Sequence, residues 1–181
     1  MNYEYNYFDH DNKDITRIED HIWLGNSFAS LNIKDLKEKG ITKILTVMDG
    51  QPYFYNNNHD GFRHKIIEVM DVCNQNIIQY FGECLNFIKG NENILVHCSG
   101  GISRSATIVI AYIMWKYKMK YEEAFQFVKN KRSVVWPNPG FKEQLKVFGQ
   151  LLIRNNYDIS NINFKGIIWT PPHMNSLVFY S

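Results

Sequence analysis

The chain has 181 residues, 45% hydrophobic and 15% aromatic, enough for one domain with a sizeable core and too few for two comfortable ones. Its 20 basic and 18 acidic side chains leave a formal charge of +2, which argues against a nucleic-acid surface or an anionic membrane as the main partner; any anion site must be local. Three cysteines, Cys73, Cys84 and Cys98, are too few and wrongly spaced for a zinc site or a secreted disulfide framework, so reduced thiols are expected.

The segment "MNYEYNYFDHDNKD" has neither a signal-peptide core nor a glycine after Met1 for a lipid, and the longest apolar stretch, Ala106 to Trp115, is far short of a membrane span. A soluble protein of the cytoplasm or nucleus is expected, with residues 1–14 a flexible lead-in. "ITRIEDHIWLGN" then reads as strand material broken by Gly25, and "SFASLNIKDLKEKG" carries helical apolar spacing from Phe28 through Leu31 to Leu36, ended by Gly40. "ITKILTV" is the next strand, "QPYFYNNNHDG" a loop by its Pro, Asn and Gly content, and "FRHKIIEV" another extended run. "NIIQYFGECLNFIKG" spaces Ile77, Phe81, Leu85 and Ile88 on one helix face, with Cys84 on the core side, and the short "ILVHC" predicts a buried central strand. Three further helices are predicted in "RSATIVIAYIMWKYK", "YEEAFQFVKNKR" and "PGFKEQLKVFGQLLIRN". Strands and helices alternate without a repeat, which predicts an α/β domain over 15–155 with a central, mostly parallel twisted sheet flanked by helices. The tail, 156–181, is rich in Asn, Ser and Pro but carries too many Phe, Ile, Trp and Val for a pure linker, and is expected to dock.

"LVHCSGGISRSAT" therefore falls at the end of a strand, a loop and the start of a helix, where ligands bind in α/β sheets and where a helix offers unpaired N–H groups. Gly100 and Gly101 let successive amides of Ser99, Gly100, Gly101, Ile102, Ser103 and Arg104 turn inward around a tetrahedral oxyanion. Arg104 adds a planar fork able to grip two phosphate oxygens at once. The same positive surroundings favour the thiolate of Cys98, the nucleophilic form. Phosphoryl transfer further needs a group that protonates the leaving oxygen and later activates water; Asp71 in "EVMDVCNQN" is the best-placed carboxylate, with Asp49 and Asp60 as alternatives. Cys73, two residues from Asp71, reads as an ordinary loop thiol.

"HCSGGISRS", His97 to Ser105, resembles the active-site signature of the cysteine-based protein phosphatases, and most closely that of the dual-specificity phosphatases. "IEDHIWLGN", "LKEKGITKILTV", "SRSATIVIAYIM" and "EEAFQFVKNKRSVVWPNPGFKEQL" look like that family's opening strands, first helix and strand, central helix and closing segment, so the likeness runs over roughly residues 15 to 150. It implies a protein tyrosine phosphatase-like fold, with Cys98 as nucleophile, Arg104 as phosphate-binding arginine, Asp71 as general acid and Ser105 as the hydroxyl after the arginine. It also implies that His97 and Asn138 support the loop. Where the family usually has Ala-Gly, this chain has Gly100-Gly101, a small change that leaves the loop competent. Phosphorylated proteins are the substrates so implied, and no cofactor or metal is expected because loop amides and Arg104 supply the charge neutralisation. Related classes act on phosphoinositides or RNA 5'-phosphates, and their loops often carry extra lysines or a histidine; "SGGIS" is neutral. A phosphoprotein-binding pseudophosphatase would normally lack the cysteine, arginine or acid, and all three are present.

Overall fold

The computed structural model describes residues 13–50 and 61–171. Its sheet has five strands in the order β1-β2-β5-β3-β4: β1 (Ile15–Glu19), β2 (Ile22–Gly25), β3 (Lys43–Val47), β4 (Arg63–Ile67) and β5 (Ile94–His97). β1 and β2 form an antiparallel pair with a register shift between Arg17 and Glu19, and every other pairing is parallel. β5 lies at the centre and is buried along its whole length, as a strand covered on both faces must be.

The period-two alternation of side chains divides the core in two. Ile44 and Leu95, paired in register, pack with Ala29, Leu36, Ile41 and Phe62 beneath α1 (Ser27–Leu31) and α2 (Ile33–Glu38). Leu45, Val47, Ile94 and Val96 face the larger core, around α4 (Arg104–Tyr117). α4 is buried from Arg104 to Met114, so it is apolar nearly all round and serves as the axis on which α3 (Phe81–Ile88), α5 (Tyr121–Lys131) and α6 (Pro139–Arg154) pack. The edge-to-face pair of Phe81 on α3 and Phe148 on α6, 5.1 Å between ring centres, contributes about 1 kcal/mol beyond its area burial. Cys84 is in this core, where burial pushes its thiol far up, away from reactivity.

Two predicted helices differ in detail. The one expected over 27–40 is split at Asn32, whose backbone N–H closes α1 on the Ala29 carbonyl while its side chain accepts from the Asp35 N–H at 3.1 Å to start α2. The one expected over 76–90 opens as a single 3₁₀ turn, 78–80, before α3, because the Gln144 side-chain oxygen takes the N–H groups of Ile77 and Ile78 at 2.9 and 3.0 Å. Residues 51–60 of the predicted loop, Asp60 among them, lie outside the described residues. No helix among the described residues is long and apolar enough to cross a membrane.

After α6 the chain turns back on itself. Asn156 and Tyr157 take left-handed angles, φ 49° and 61°, and the Tyr157 N–H reaches the Leu152 carbonyl at 2.7 Å. Two 3₁₀ turns, 159–161 and 164–166, then lead to Phe164 and Trp169, both buried.

Candidate active site

The loop from Cys98 to Ser103 joins the carboxyl end of β5 to the first turn of α4. Gly101 is the residue that its shape requires: φ is +66°, and a Cβ there would lie 2.5 Å from the Gly25 carbonyl oxygen and 2.9 Å from an Arg132 nitrogen. Arg132 braces the loop from behind, donating from Nε to the Gly101 carbonyl at 3.1 Å and from Nη1 to the Thr16 hydroxyl at 3.1 Å. Burial lowers its basicity, although a fully paired guanidinium stays charged at any physiological pH. The outer side of the loop is fixed by Ser27 N–H and hydroxyl on the Ser99 carbonyl, at 3.1 and 3.3 Å, and by Trp136 N–H on the Ile102 carbonyl at 2.8 Å.

Cys98 is 2% exposed and its sulfur accepts two hydrogen bonds, from the Gly101 N–H at 3.2 Å and from the Ser105 hydroxyl at 3.1 Å. One donor comes from the loop and the other from the first turn of α4, so the sulfur is held in place from both sides. His97 and Thr46 are register partners on β5 and β3, and the Thr46 hydroxyl meets His97 Nε2 at 2.8 Å. Because the other ring nitrogen faces the Cys98 carbonyl at 3.4 Å and must donate to it, Nε2 is the acceptor. Burial pushes this imidazole down to about 4, so it is neutral at pH 7 and ties the two strands together at the base of the loop.

Arg104 opens α4 and is 7% exposed. Nη1 donates to Asp49 at 2.5 Å and to the Val69 carbonyl at 3.1 Å, and Nη2 donates to the Ser99 hydroxyl at 3.2 Å. Nε is buried and has no hydrogen-bond partner; Asp71 Oδ2 lies 3.9 Å away. The other Asp71 oxygen, Oδ1, accepts from the Ser103 hydroxyl at 2.7 Å and from the Asn138 side-chain amide at 2.8 Å. Ser103 in turn accepts from the Asn138 backbone N–H at 3.1 Å, while the Asn138 side-chain oxygen caps α6 on Phe141 N–H at 2.9 Å. One asparagine thus joins the start of α6, the Cys98–Ser103 loop and Asp71.

The structure brings together Cys98, Ser99, Gly101, Ser103, Arg104, Ser105, Asp71, His97 and Asn138 in one cluster. Gly100 and Ile102 lie on its outer rim, Gly100 exposed and Ile102 42% exposed. Asp49, weighed from sequence as an alternative acid, forms an ion pair with Arg104. Three contributors were not singled out from the sequence. Thr46 and Gln144 do leave a signal, a polar residue on a buried strand and on the apolar face of a helix; Arg132 leaves none, because its partners, Thr16 on β1 and Gly101, are far from it in the chain. Among the described residues, no group of three or more His, Cys, Asp or Glu side chains is arranged to hold a metal ion.

A thiol and an arginine held on one strand-to-helix loop, at the carboxyl end of the central strand of a mostly parallel sheet, define the class of the cysteine-based phosphatases. Comparison with known proteins narrows it. Residues 22–150 match the dual specificity phosphatase catalytic domain, and the chain belongs to that family, whose catalytic domain is that of a protein phosphatase, a hydrolase. It is 41% identical over 143 residues to dual specificity protein phosphatase 1B of Arabidopsis thaliana, covering 75% of this chain and 82% of that protein. It is 43% identical over 134 residues to MAP kinase phosphatase with leucine-rich repeats protein 1 of Dictyostelium discoideum, covering 72% of this chain but 16% of that protein. Among solved structures, the human tyrosine phosphatase-like serine/threonine/tyrosine-interacting protein superposes with a TM-score of 0.70 at 32% identity, covering 77% of this chain and 97% of that one.

Proposed function

We propose that this chain dephosphorylates phosphotyrosine and phosphoserine or phosphothreonine in proteins through a cysteinyl-phosphate, with 15–155 as the catalytic unit. The observation that carries this reading is the pairing of a thiol that accepts from Gly101 and Ser105 with an arginine whose Nε is buried and unpartnered. Cys98 Sγ attacks phosphorus in line with the leaving oxygen, while the amides of Ser99 to Arg104 and the Arg104 fork hold the equatorial oxygens. As the bond between phosphorus and substrate oxygen breaks, Asp71 delivers its proton to that oxygen. Oδ1 is tied to Ser103 and Asn138, which supports Oδ2 as the oxygen that carries this proton. In the second half Asp71 takes a proton from water, the water oxygen bonds to phosphorus, the S–P bond breaks and Ser105 donates to the departing sulfur.

The test is a substrate panel with the wild type and Cys98→Ser: a phosphotyrosyl peptide, a phosphothreonyl peptide, a phosphoinositide and a 5'-triphosphorylated RNA. Turnover of both peptides, abolished in Cys98→Ser, is the expected result. Turnover confined to the lipid or the RNA would replace the substrate class, and binding without turnover of any of the four would make the chain a phosphoprotein-binding domain.

A further inference from the structure

The tail beyond residue 150 lies outside the family match, yet it runs along the segment that carries Asp71. Two hydrogen bonds join them: Trp169 Nε1 donates to the Cys73 carbonyl at 3.0 Å, and the Asn76 side-chain amide donates to the Ile167 carbonyl at 2.6 Å. The tail is itself anchored. Trp115 on α4 donates to the Tyr157 carbonyl at 3.0 Å, and the Phe164 ring sits where a Cβ on Gly82 would come within 2.5 Å of it and lies 6.0 Å from the Phe148 ring. Trp169 is 9% exposed, too well covered for a passive surface aromatic.

On its other side the acid-bearing segment is gripped by α6. Gly140 lies so close to the Cys73 carbonyl that no side chain fits between them, and Gln144 takes the N–H groups of Ile77 and Ile78 while donating to the Gln75 carbonyl at 2.9 Å. The Cys73 carbonyl is therefore held between a helix start and a tail indole, two residues from Asp71. Pro171 and Cys73 also share the wall of one groove of about 520 Å³ with Gly140 and Lys142.

We infer that residues 163–171 form a strap that holds the Asp71 segment over the phosphate loop, with Trp169 and Asn76 as positioning residues for proton delivery; this rests on Asp71 being the general acid. Without the strap, that segment keeps its α6 contacts but loses the bonds on its outer side, and Asp71 Oδ2 spends less time in line with the leaving oxygen. The loss should fall on substrates that need protonation, because an alkoxide or simple phenolate leaves poorly unless it is protonated, while a nitrophenolate departs unaided.

The experiment uses the full chain and a series of aryl phosphates running from nitrophenyl to unsubstituted phenyl esters, with kcat/KM plotted against leaving-group basicity. Trp169→Phe keeps the ring packing and removes the donor; Asn76→Ala removes the second bond from the other partner, so the test does not depend on one variant folding. Each is expected to lower kcat/KM for phenyl phosphate about 5- to 10-fold while changing the nitrophenyl ester less than about 2-fold. In an Asp71→Asn background, where the dependence is already steep, Trp169→Phe should add nothing. Equal losses across the series, or no loss in either variant, would overturn the strap while leaving the acid assignment standing if Asp71→Asn is steep. A flat series in Asp71→Asn would overturn the acid itself.

Discussion

Arg104 spends its donors unevenly: Nη1 and Nη2 are occupied by Asp49, the Val69 carbonyl and Ser99, and Nε is left facing the Asp71 side. A phosphate bound on this fork would take Nε together with one terminal nitrogen, geometry that a lysine cannot reproduce. Arg104→Lys is therefore expected to lower kcat/KM by about two orders of magnitude or more with the positive charge retained, as read by steady-state kinetics on a phosphotyrosyl peptide. Near-normal kinetics would reduce Arg104 to a general electrostatic role. The six-position spacing of Cys98 and Arg104 was legible in the sequence because a strand, a tight loop and a helix start are all local. Asp71 was preferred from the sequence, but the partners of the two carboxylates were not legible, because they depend on which strand-end loop folds over Ser103 and Asn138 and which one meets the guanidinium.

At the scale of elements, the loop and the helix starts depend on glycines for opposite reasons. Gly101 needs its left-handed backbone and has the Gly25 carbonyl against it, so Gly101→Ala combines backbone strain with a collision inside the anion loop. It is expected to destabilise the fold by about 2 kcal/mol or more, read by thermal or denaturant unfolding, and to abolish turnover. Gly140 has ordinary angles but no room, and Gly140→Ala should push the Cys73 carbonyl and the acid-bearing segment outward. Its kinetic mark is a greater loss on phenyl phosphate than on a nitrophenyl ester; equal losses would place the damage in the phosphate loop instead. The long helices α4, α5 and α6 were read to within a residue or two because each carries a sustained apolar face. The split at Asn32 and the 3₁₀ start at Ile78 were not, since each turns on the hydrogen bonds of one side chain, in the second case Gln144, more than sixty positions away.

Taken over the whole molecule, the larger core, the sheet and the site meet at His97, buried between β3 and the Cys98–Ser103 loop. Its folded value of about 4 lies below the ordinary histidine value of 6.5, so the unfolded chain takes up a proton first as pH falls. The stabilisation is present above pH 6.5 and is lost progressively between 6.5 and 4. The loss is on the order of 3 kcal/mol by pH 4. A His97→Asn variant should be less stable at neutral pH but should lack this component of the acid decline, measured by denaturant unfolding from pH 7 to 4; parallel declines in both proteins would show that His97 is not buried neutral. The order of strands and helices, and hence the fold class, could be read along the chain because hydrophobic period and turn chemistry are local. The place where the tail docks could not, because Phe164 and Trp169 find their positions only against Gly82, Phe148 and Cys73, residues brought near by the finished fold.

The proposed reaction passes through a phosphoryl group held covalently on Cys98, and Ser105 gives access to it. Because the Ser105 hydroxyl donates to the sulfur that must leave in the second step, Ser105→Ala should slow breakdown of the intermediate more than its formation. Rapid mixing of that variant with an activated aryl phosphate should release a burst of phenol equal to the enzyme present, followed by a slow steady state, with the mass of one phosphoryl group on the peptide containing Cys98. A single linear phase with no adduct on that peptide, while turnover persists, would contradict the account.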